Sequence, residues 1–393
     1  MFDSALNERP AWLEWPLLLA VLGLMAFGAA FIHSATMGSL RITLTQGLWY
    51  TLGLAAAAAI CLLDYHTLAR WSLVGYWLAI ALLVAVLVPG IGTTHGWGAQ
   101  RWIDLGPLQF QPSEFAKLAL IVALAHFLSR PLDELRQPQI FAKAIGMTAL
   151  PFVLILREPD LGSALVLLPV ALGMMYVGGV PVKFLNRIIA VVVALVSLLL
   201  VDILFAPEGW RIKLEPYQRR RLLVYFGLDF APPRATEAER QRARLEQRNY
   251  SYNIEQALIS VGSGGLIGKG WRQGTQNALG YLPRRVAHND FIFSVIAEEK
   301  GFVGSVIVLA LYTVVLFSGL KIAGQARDRL GKLLAVGVVL LLFSHVFINI
   351  GMNIRIMPVT GIPLPLLSYG GSAVLCSLIA VGILHNVYLY RRI

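Results

Sequence analysis

The residues best suited to chemistry lie in short polar segments that separate long apolar runs. Asp290 follows His288 and directly precedes an apolar run that begins at Phe291. A carboxylate held here could act as a general base, provided that it lies within hydrogen-bonding distance of the proton that it removes. The simpler interpretation is that Asp290 caps the N-terminus of the following helix. The residues alone leave both interpretations open.

Two other acidic segments also border apolar runs. Glu114 and Lys117 are three residues apart, just after Pro112 opens a predicted helix, so their side chains share one helix face. They could form a local ion pair that eases helix entry into a membrane, or one charged wall of a polar cavity. Asp160 lies in the turn Arg157–Gly162, where capping of the next helix is the simpler role.

Two further segments are informative through their backbone. The run Gly262–Gly270 resembles a phosphate-binding loop only weakly, because the Walker spacing is absent, and turn geometry explains its glycines better. The segment 353–372 contains Pro358, Pro363 and Pro365, which preclude a regular helix. Irregular backbone at membrane depth is tolerated where it lines a cavity, so we interpret this segment as scaffold rather than catalyst.

Composition indicates which elements must position these residues. The 393-residue chain is 57% hydrophobic and 14% charged, whereas soluble domains are about 45–50% apolar and about 25% charged. A membrane absorbs such an excess of apolar surface through spans of about 20 residues. The chain is therefore predicted to be an all-α polytopic membrane protein with about ten transmembrane helices. The predicted spans are Trp15–Ile32, Leu48–Leu63, Leu73–Pro89, Phe115–Leu128, Ile140–Leu156, Leu161–Val177, Phe184–Phe205, Phe291–Leu320, Leu333–Ile350 and Leu366–Tyr388.

Charge predicts the orientation of these spans. With the N-terminus inside, 13 lysines and arginines lie in inner segments and 4 in short outer loops, so the positive-inside rule favours cytoplasmic N- and C-termini. The segment 206–289 then forms one large extracytoplasmic loop between spans seven and eight, within a single domain covering 1–393. Its charged stretch Asp229–Asn249 is predicted to contain an exposed helix, because Glu and Arg alternate from Glu237 to Arg248.

The net charge of +11 is explained largely by this topology and by contact with anionic membrane lipids, so no nucleic-acid partner is predicted. The histidines are scattered without ligand spacing, and Cys61 and Cys376 both fall inside apolar runs. No structural metal site is therefore predicted.

Taken together, the polar segments resemble those of the SEDS family (shape, elongation, division and sporulation), which comprises the RodA and FtsW proteins. The resemblance covers nearly the whole chain, and the proline segment is closer to the RodA branch. The matching segments are Ala99–Ile103 with Gln111–Glu114, Pro159–Gly162, Gly262–Gly270, Asp290–Phe293, and Pro358–Pro365 with Ser368–Ser372.

This resemblance implies a peptidoglycan glycosyltransferase of the bacterial cytoplasmic (inner) membrane, with its active site on the extracytoplasmic side. Family members polymerise glycan strands from lipid II, an undecaprenyl-pyrophosphate-linked disaccharide-pentapeptide, during cell-wall elongation and cell-shape maintenance. They work beside a class B penicillin-binding protein, which supplies the transpeptidase. The essential aspartate of the family falls on Asp290.

The implied reaction assigns a role to each candidate. Asp290 would be the base in an inverting transfer that needs one carboxylate, unlike the carboxylate pair of hydrolytic glycosidases. Cations must neutralise the departing pyrophosphate, and a divalent cation such as Mg²⁺ or Mn²⁺ could share that task; no cofactor is certain. The side chains expected to bind substrate are Arg101, Glu114, Lys117, Asp160, Arg219, Lys269 and His288.

Two other classes of function stay open. A lipid II flippase or other polyprenyl-lipid transporter would also need many helices and a polar cavity, although transporters tend to show inverted repeats and polar sites at the midplane. Here the polar residues cluster at the outer face and no repeat is found. A scaffold that only anchors the penicillin-binding protein would not need a positioned carboxylate.

Overall fold

Long helices joined by short turns make up most of the chain. The computed structural model describes residues 13–93, 100–106, 108–205, 216–228, 230 and 236–392. Within these residues the chain forms sixteen α-helices, three short strands and a final 3-10 turn. In chain order they are α1 (Trp15–Ala35), α2 (Leu40–Cys61), α3 (Tyr65–Arg70), α4 (Ser72–Leu87), β1 (Gly92–Thr93), β2 (Trp102–Leu105), β3 (Leu108–Phe110), α5 (Pro112–Leu128), α6 (Leu132–Leu135), α7 (Pro138–Arg157), α8 (Leu161–Gly178), α9 (Val182–Phe205), α10 (Pro216–Phe226), α11 (Glu237–Ser263), α12 (Thr275–Ala278), α13 (Arg284–Ala287), α14 (Ile292–Gln325), α15 (Arg329–Asn353), α16 (Gly371–Leu389) and the turn Tyr390–Arg392.

The polytopic helical fold is confirmed. Among the residues that the structure describes, eight helices are long and apolar enough to cross a membrane, and α4 is a shorter apolar helix. The seventeen-residue α5, which carries Glu114 and Lys117, occupies the place of the fourth predicted span. Every predicted span thus coincides with a helix, while the count of ten crossings stays a prediction. The antiparallel sheet β1-β2-β3, which lies between α4 and α5, was not predicted from the sequence.

Helix α15 forms the centre of the bundle and packs against α5, α8, α14 and α16. In the apolar 18-residue stretch of α15, 78% of the residues are buried, whereas 6% are buried in the corresponding stretch of α9. Because most of α15 is buried, the asparagines near its C-terminal end, Asn349 and Asn353, can hold neighbouring loops without contacting lipid. It is therefore the element against which the segments at this end of the bundle are positioned.

Helix α14 is interrupted at Gly301, whose φ of 65° and ψ of −157° are not helical. The glycine-rich segment 264–270 fills this break. The amides of Lys269 and Gly270 donate to the carbonyls of Glu298 and Glu299 at 3.0 Å each. In return, the amides that follow Gly301 donate to the carbonyls of residues 265 and 266 at 2.9 and 3.1 Å. The backbone groups freed by the break are thus paired with protein, as a nonpolar environment requires.

The glycines of this segment are required by close packing. A Cβ on Gly268 would lie 2.2 Å from the Glu299 carbonyl oxygen, and its φ is +80°. A Cβ on Gly264 would lie 1.9 Å from the Ala297 carbonyl oxygen. The prediction that these glycines serve turn geometry is confirmed, and their turn locks a broken helix.

Helices α10 to α13 lie between α9 and α14, at the place of the predicted large loop. The exposed helix predicted over Glu237–Arg248 is the first half of α11. Parts of the predicted loop, namely residues 206–215, 229 and 231–235, lie outside the described residues.

Candidate active site

Asp290 lies in the turn that joins α13 to α14. Its amide donates to the Val286 carbonyl at 3.0 Å, and its own carbonyl accepts from the side-chain amides of Asn349 and Asn353 at 3.0 and 3.1 Å. Both asparagines are fully buried on α15. The cap of α14 is Phe291, with no capping bond from a side chain. The capping interpretation of Asp290 is therefore wrong, and its carboxylate is free for another role.

The Asp290 carboxylate faces Gly361 in the irregular segment between α15 and α16. A Cβ on Gly361 would lie 3.6 Å from Asp290 Oδ2, and the φ of Gly361 is +75°. The side chain of Asp290 keeps a partly exposed surface, yet the protein packed around its carboxylate raises its pKa from 3.8 to about 6. Arg221 and Arg101 lower this pKa, and Asp160 raises it. A carboxyl with a pKa of about 6 is mostly ionised at pH 7 and can accept a proton.

Arg101 and Asp160 meet at the turn between α7 and α8. The Arg101 guanidinium donates to the carbonyls of Glu158, at 3.3 Å, and Pro159. It also lies 3.9 Å from Asp160 Oδ1. Asp160 accepts from the Ser163 amide at 3.1 Å, which confirms that it caps α8. The capping residue therefore also belongs to the charged group around Asp290.

Arg221 is a member of this group that the sequence analysis did not select. It extends from α10 and donates to the carbonyls of Val359 and Thr360 at 3.2 and 3.5 Å. Three arginines follow one another in this part of the sequence, and their spacing alone does not say which one turns toward the site. The predicted candidate, Arg219, lies half-buried on the same helix.

Glu158 is the second residue that the sequence analysis missed. It is fully buried, and neither carboxyl oxygen has a hydrogen-bond partner among the residues that the structure describes. Burial and the nearby Asp160 raise its pKa from 4.5 to about 9, although Arg101 lowers it. Glu158 is therefore neutral at pH 7. The only sequence signal was an acidic residue two positions after a long apolar run.

The Glu114–Lys117 pair lies apart from this group, inside the bundle. Lys117 donates to Glu114 at 2.6 Å, and its ammonium lies 2.9 Å from Nε2 of His345 on α15. Their side chains are 4% and 1% exposed. The expected shared helix face is confirmed, and the pair is enclosed by protein. Its predicted role in binding substrate stays a prediction.

Lys269 is engaged at the break of α14. Its ammonium lies 2.7 Å from Glu298 Oε1 and also donates to Ser263 and Thr275 at 2.8 and 2.7 Å. Lys269 is not among the charges that act on Asp290. In the structure, Lys269 therefore forms an ion pair with Glu298. Its predicted role in binding a pyrophosphate stays a prediction.

His288 lies two residues before Asp290, partly exposed, with its ring 5.3 Å from the Tyr369 ring and its carbonyl accepting from the Tyr369 amide. This contact ties the turn before α14 to the segment before α16. Both residues border the Asp290 turn, and a role for His288 in binding substrate stays a prediction.

A divalent cation at this site would find few ligands in the described part of the chain. Asp290 and Asp160 are its acidic candidates, but Arg101 and Arg221 already act on the same carboxylate. No group of three or more His, Cys, Asp or Glu in the described residues could hold a metal ion. Within the described residues, arginines rather than a group of metal ligands surround the Asp290 carboxylate, and participation of a divalent cation stays a prediction.

The chain is similar to known proteins along nearly its whole length. The family model of FtsW, RodA and SpoVE, described as "Cell cycle protein", matches residues 12–393. The peptidoglycan glycosyltransferase MrdB of Escherichia coli strain K12 is 35% identical over 98% of this chain and 97% of its own length. The peptidoglycan glycosyltransferase RodA of Treponema pallidum is 32% identical over 95% and 97%.

Solved structures agree with this similarity. A chain from a peptidoglycan synthase complex, described as coordinating polymerization and crosslinking, has a TM-score of 0.75 and 30% identity over 96% of this chain and 98% of its own. The rod shape determining protein RodA of Thermus thermophilus has a TM-score of 0.65 and 28% identity over 97% and 98%.

Proposed function

Since this chain belongs to the FtsW, RodA and SpoVE family, we propose that it polymerises peptidoglycan glycan strands from lipid II, with Asp290 as general base. The observation that carries the proposal is the setting of Asp290. Its carboxylate is held in a turn fixed by α15, faces the irregular segment, and lies in the field of two arginines. A carboxylate that only stabilised the fold would be expected to have a matched partner.

The chemistry requires one base and one site for a departing anion. The 4-hydroxyl of the incoming lipid II sugar attacks the anomeric carbon of the growing strand, and the bond from that carbon to the pyrophosphate oxygen breaks. The hydroxyl proton passes to Asp290. Single displacement inverts the anomeric carbon, so an α-linked donor gives a β-linked product with one essential carboxylate. General-base catalysis contributes about 10²–10⁴-fold, and the remainder comes from holding the two lipids in line.

Arg101 and Arg221 are the cations best placed for the pyrophosphate, because both act on the Asp290 carboxylate. Neutralisation of developing charge lets pyrophosphate leave without a general acid. Neutral Glu158 adds no negative charge beside these arginines at pH 7. A Mg²⁺ or Mn²⁺ ion carried by the pyrophosphate itself could reinforce them.

The apolar helices make this a multi-pass membrane protein. We place it in the bacterial cytoplasmic membrane with the Asp290 face outside, which agrees with the lysines and arginines at the opposite ends of the helices. Similarity to a chain of a synthase complex for polymerization and crosslinking supports a class B penicillin-binding protein as partner.

Lipid transport is the competing function, because a broken helix with buried carboxylates is typical of transporter binding sites. Glu298 and Glu299 are both buried just before the break in α14, and the Ser34 hydroxyl of α1 donates to Glu299. However, the glycine-rich segment already pairs the freed backbone groups, and Lys269 neutralises Glu298. This break is sealed by the chain itself, which favours a structural role.

The test is glycan polymerisation from purified lipid II by the full-length protein, with and without its penicillin-binding partner. Wild type is compared with Asp290→Asn at matched folded yield. Polymer that is lost only in Asp290→Asn supports the proposal. Equal polymer from both proteins would keep the glycosyltransferase and remove Asp290 as base. No polymer from wild type, even with the partner, would favour transport or a scaffold.

A further inference from the structure

Helix α15 carries three polar side chains at intervals of four residues near its C-terminal end, namely His345, Asn349 and Asn353. Side chains four positions apart share one face of a helix, and all three are buried. The side-chain amide of Asn349 donates to the carbonyl of Ile362 at 2.7 Å and to that of Asp290 at 3.0 Å. This face of α15 therefore holds the irregular segment before α16 and the Asp290 turn together.

His345 lies one turn deeper in the bundle on the same face. Its Nε2 lies 2.9 Å from the ammonium of Lys117 on α5, which donates to Glu114 at 2.6 Å. Because an ammonium has only donors, Nε2 must accept, and the proton of the neutral imidazole lies on Nδ1. The His345 ring is also hydrogen-bonded to the backbone of Pro363. Since proline has no N–H, this bond runs from Nδ1–H to the Pro363 carbonyl.

The position of Pro363 matters because the residues just before it face Asp290. A Cβ on Gly361 would lie 3.6 Å from Asp290 Oδ2. Arg221 donates to two carbonyls of the same segment at 3.2 and 3.5 Å, and its charge lowers the pKa of Asp290. The short segment 359–363 thus carries one wall of the site, the contact that holds Arg221 and the bond from α15.

We propose that His345 is a positioning residue for the glycosyl transfer: by donating to the Pro363 carbonyl, it fixes the segment that faces Asp290. The Lys117 ammonium selects the ring tautomer that can donate to Pro363, and Glu114 holds that ammonium. His345 thus acts through the irregular segment rather than on the substrate. The inference rests on the proposed glycosyltransferase function and adds how the surroundings of its base are held in place.

Two substitutions of His345 separate its two bonds. The amide nitrogen of asparagine can replace Nδ1–H, so His345→Asn keeps the bond to Pro363 and loses the contact with Lys117. The amide oxygen of glutamine can replace Nε2, so His345→Gln keeps the contact with Lys117 and loses the bond to Pro363. At matched folded yield, His345→Gln should lower kcat by up to about 10²-fold, because a misplacement of about 1 Å can have that effect. The KM for lipid II should change little, and His345→Asn should keep a kcat close to that of wild type.

The pH profile gives a readout that a loss of stability alone would not move. Arg221 and Arg101 lower the pKa of Asp290, and Asp160 raises it. When the segment shifts in His345→Gln, Arg221 shifts with it, and the pKa of Asp290 rises above its value of about 6. The acid limb of kcat/KM should therefore move to higher pH in His345→Gln and stay in place in His345→Asn.

His385→Gln is the matched control, because it makes the same exchange at another buried histidine. His385 lies fourteen positions after Gly371, where α16 begins, which is about 20 Å along the helix. The control should change neither kcat nor the acid limb. Equal kcat and equal acid limbs in the two His345 variants would overturn the proposal. A loss of kcat in His345→Asn with retention in His345→Gln would also overturn it, because the contact with Lys117 would then be the one that matters.

NMR tests the inference without polymer. With isotope-labelled aspartate and assignment by Asp290→Asn, the Asp290 carboxyl can be titrated in full-length protein in nanodiscs. Its midpoint should be higher in His345→Gln than in wild type, and an unchanged midpoint would contradict the positioning role. Failure of this inference is thus distinguishable from failure of the glycosyltransferase function.

The ring tautomer gives a second test that does not depend on the folding of His345→Gln. Nitrogen NMR of the wild-type protein locates the imidazole proton, with the His345 signals assigned as those lost in His345→Asn. A proton on Nδ1 supports the bond to Pro363. A proton on Nε2 would overturn the proposal, because Nδ1 could then not donate to the carbonyl.

Discussion

Two charged regions near the N-terminal end of α14 differ in the partners of their carboxylates. At the break of α14, Glu298 Oε1 accepts from the Lys269 ammonium, the Thr275 hydroxyl and the Gln276 amide. The hydrogen bonds that the described residues make to Asp290 are all to its backbone, and the charges of Arg221 and Arg101 lower the pKa of its carboxyl group. In the first region the Glu298 carboxylate is paired through Oε1 with its own neighbours, whereas in the second region the Asp290 carboxylate is available to a ligand.

The presence or absence of a paired partner distinguishes structural from functional charged residues better than the extent of their burial does. Glu298, Glu114 and Lys117 are all deeply buried and each has a partner within 2.7 Å. Asp290 is less buried, and its carboxyl has a raised pKa. Perturbed titration without a matched partner is typical of groups that act on a ligand. Substitutions in the two regions should therefore change different quantities.

The largest expected effect is on activity. Asp290→Asn should lower kcat about 10²–10⁴-fold, because the base is lost. Its melting temperature should not fall, because the backbone of the turn is held by Asn349 and Asn353 and a neutral side chain is easier to bury. Polymerisation and thermal unfolding in detergent measure the two quantities on one preparation. A large fall in melting temperature in Asp290→Asn would instead indicate that Asp290 has a structural role.

The next largest effect is on stability, at the glycine-rich segment. Gly268→Ala should destabilise the protein by about 3 kcal/mol, because its φ is +80° and its Cβ would lie 2.2 Å from the Glu299 carbonyl oxygen. Gly262→Ala is the matched control within α11, where a Cβ meets nothing within 4 Å. It should be neutral or stabilise slightly. Equal melting temperatures for the two variants would contradict the close packing of the glycine-rich segment against the break in α14.

The ion pair in the same region should show a smaller loss. Lys269→Met should cost about 2 kcal/mol, because it leaves Glu298 buried without its cation, while the partial exposure of Lys269 moderates the cost. The double variant Lys269→Met with Glu298→Gln should recover part of the loss in a melting experiment. If Lys269→Met instead raised the KM for lipid II at unchanged stability, its predicted role at the pyrophosphate would be supported.

Local patterns predicted the parts of this site that depend on near neighbours in sequence. Spacing of three predicted the contact of Glu114 with Lys117, and the position of Asp160 before a helix predicted its cap. The roles of Arg221 and Glu158 depend on where α10 and the α7–α8 turn meet the segment before α16. The contacts of Glu158 with Arg101 and of Arg221 with Val359 join residues 57 and 138 positions apart, and no local pattern encodes them.

The same limit applies to α14. Its apolar run predicted one continuous span, and the glycine-rich run predicted a turn. Only the folded chain shows that the turn fills a break at Gly301. Neither segment alone indicates this contact, which forms only in the tertiary structure.

Titration of Asp290 gives a more modest effect. Since its pKa is about 6, kcat/KM should fall about tenfold per pH unit below 6 and level off above it. Asp160→Asn, which can still cap α8, removes a negative charge that raises this pKa. The acid limb should then move to lower pH. A pH–rate profile whose acid limb is the same in both proteins would contradict the coupling of the two carboxylates.

The smallest effect on activity at pH 7 is expected from substitution of Glu158, a buried carboxyl group without a hydrogen-bond partner among the described residues. Its pKa of about 9 means that the buried group is already neutral, and glutamine has the same shape without the titrating proton. Glu158→Gln should therefore keep activity at pH 7 within about twofold.

Between pH 4.5 and about 9 the folded state holds a proton on Glu158 that the unfolded state has lost, so this group lowers the stability of the protein as pH rises through that range. The variant should consequently melt higher than wild type at pH 8 and equally at pH 4. It should also lack any loss of activity near pH 9, where ionised Glu158 would compete for Arg101. A large loss of activity at pH 7 would instead make Glu158 a participant in the reaction.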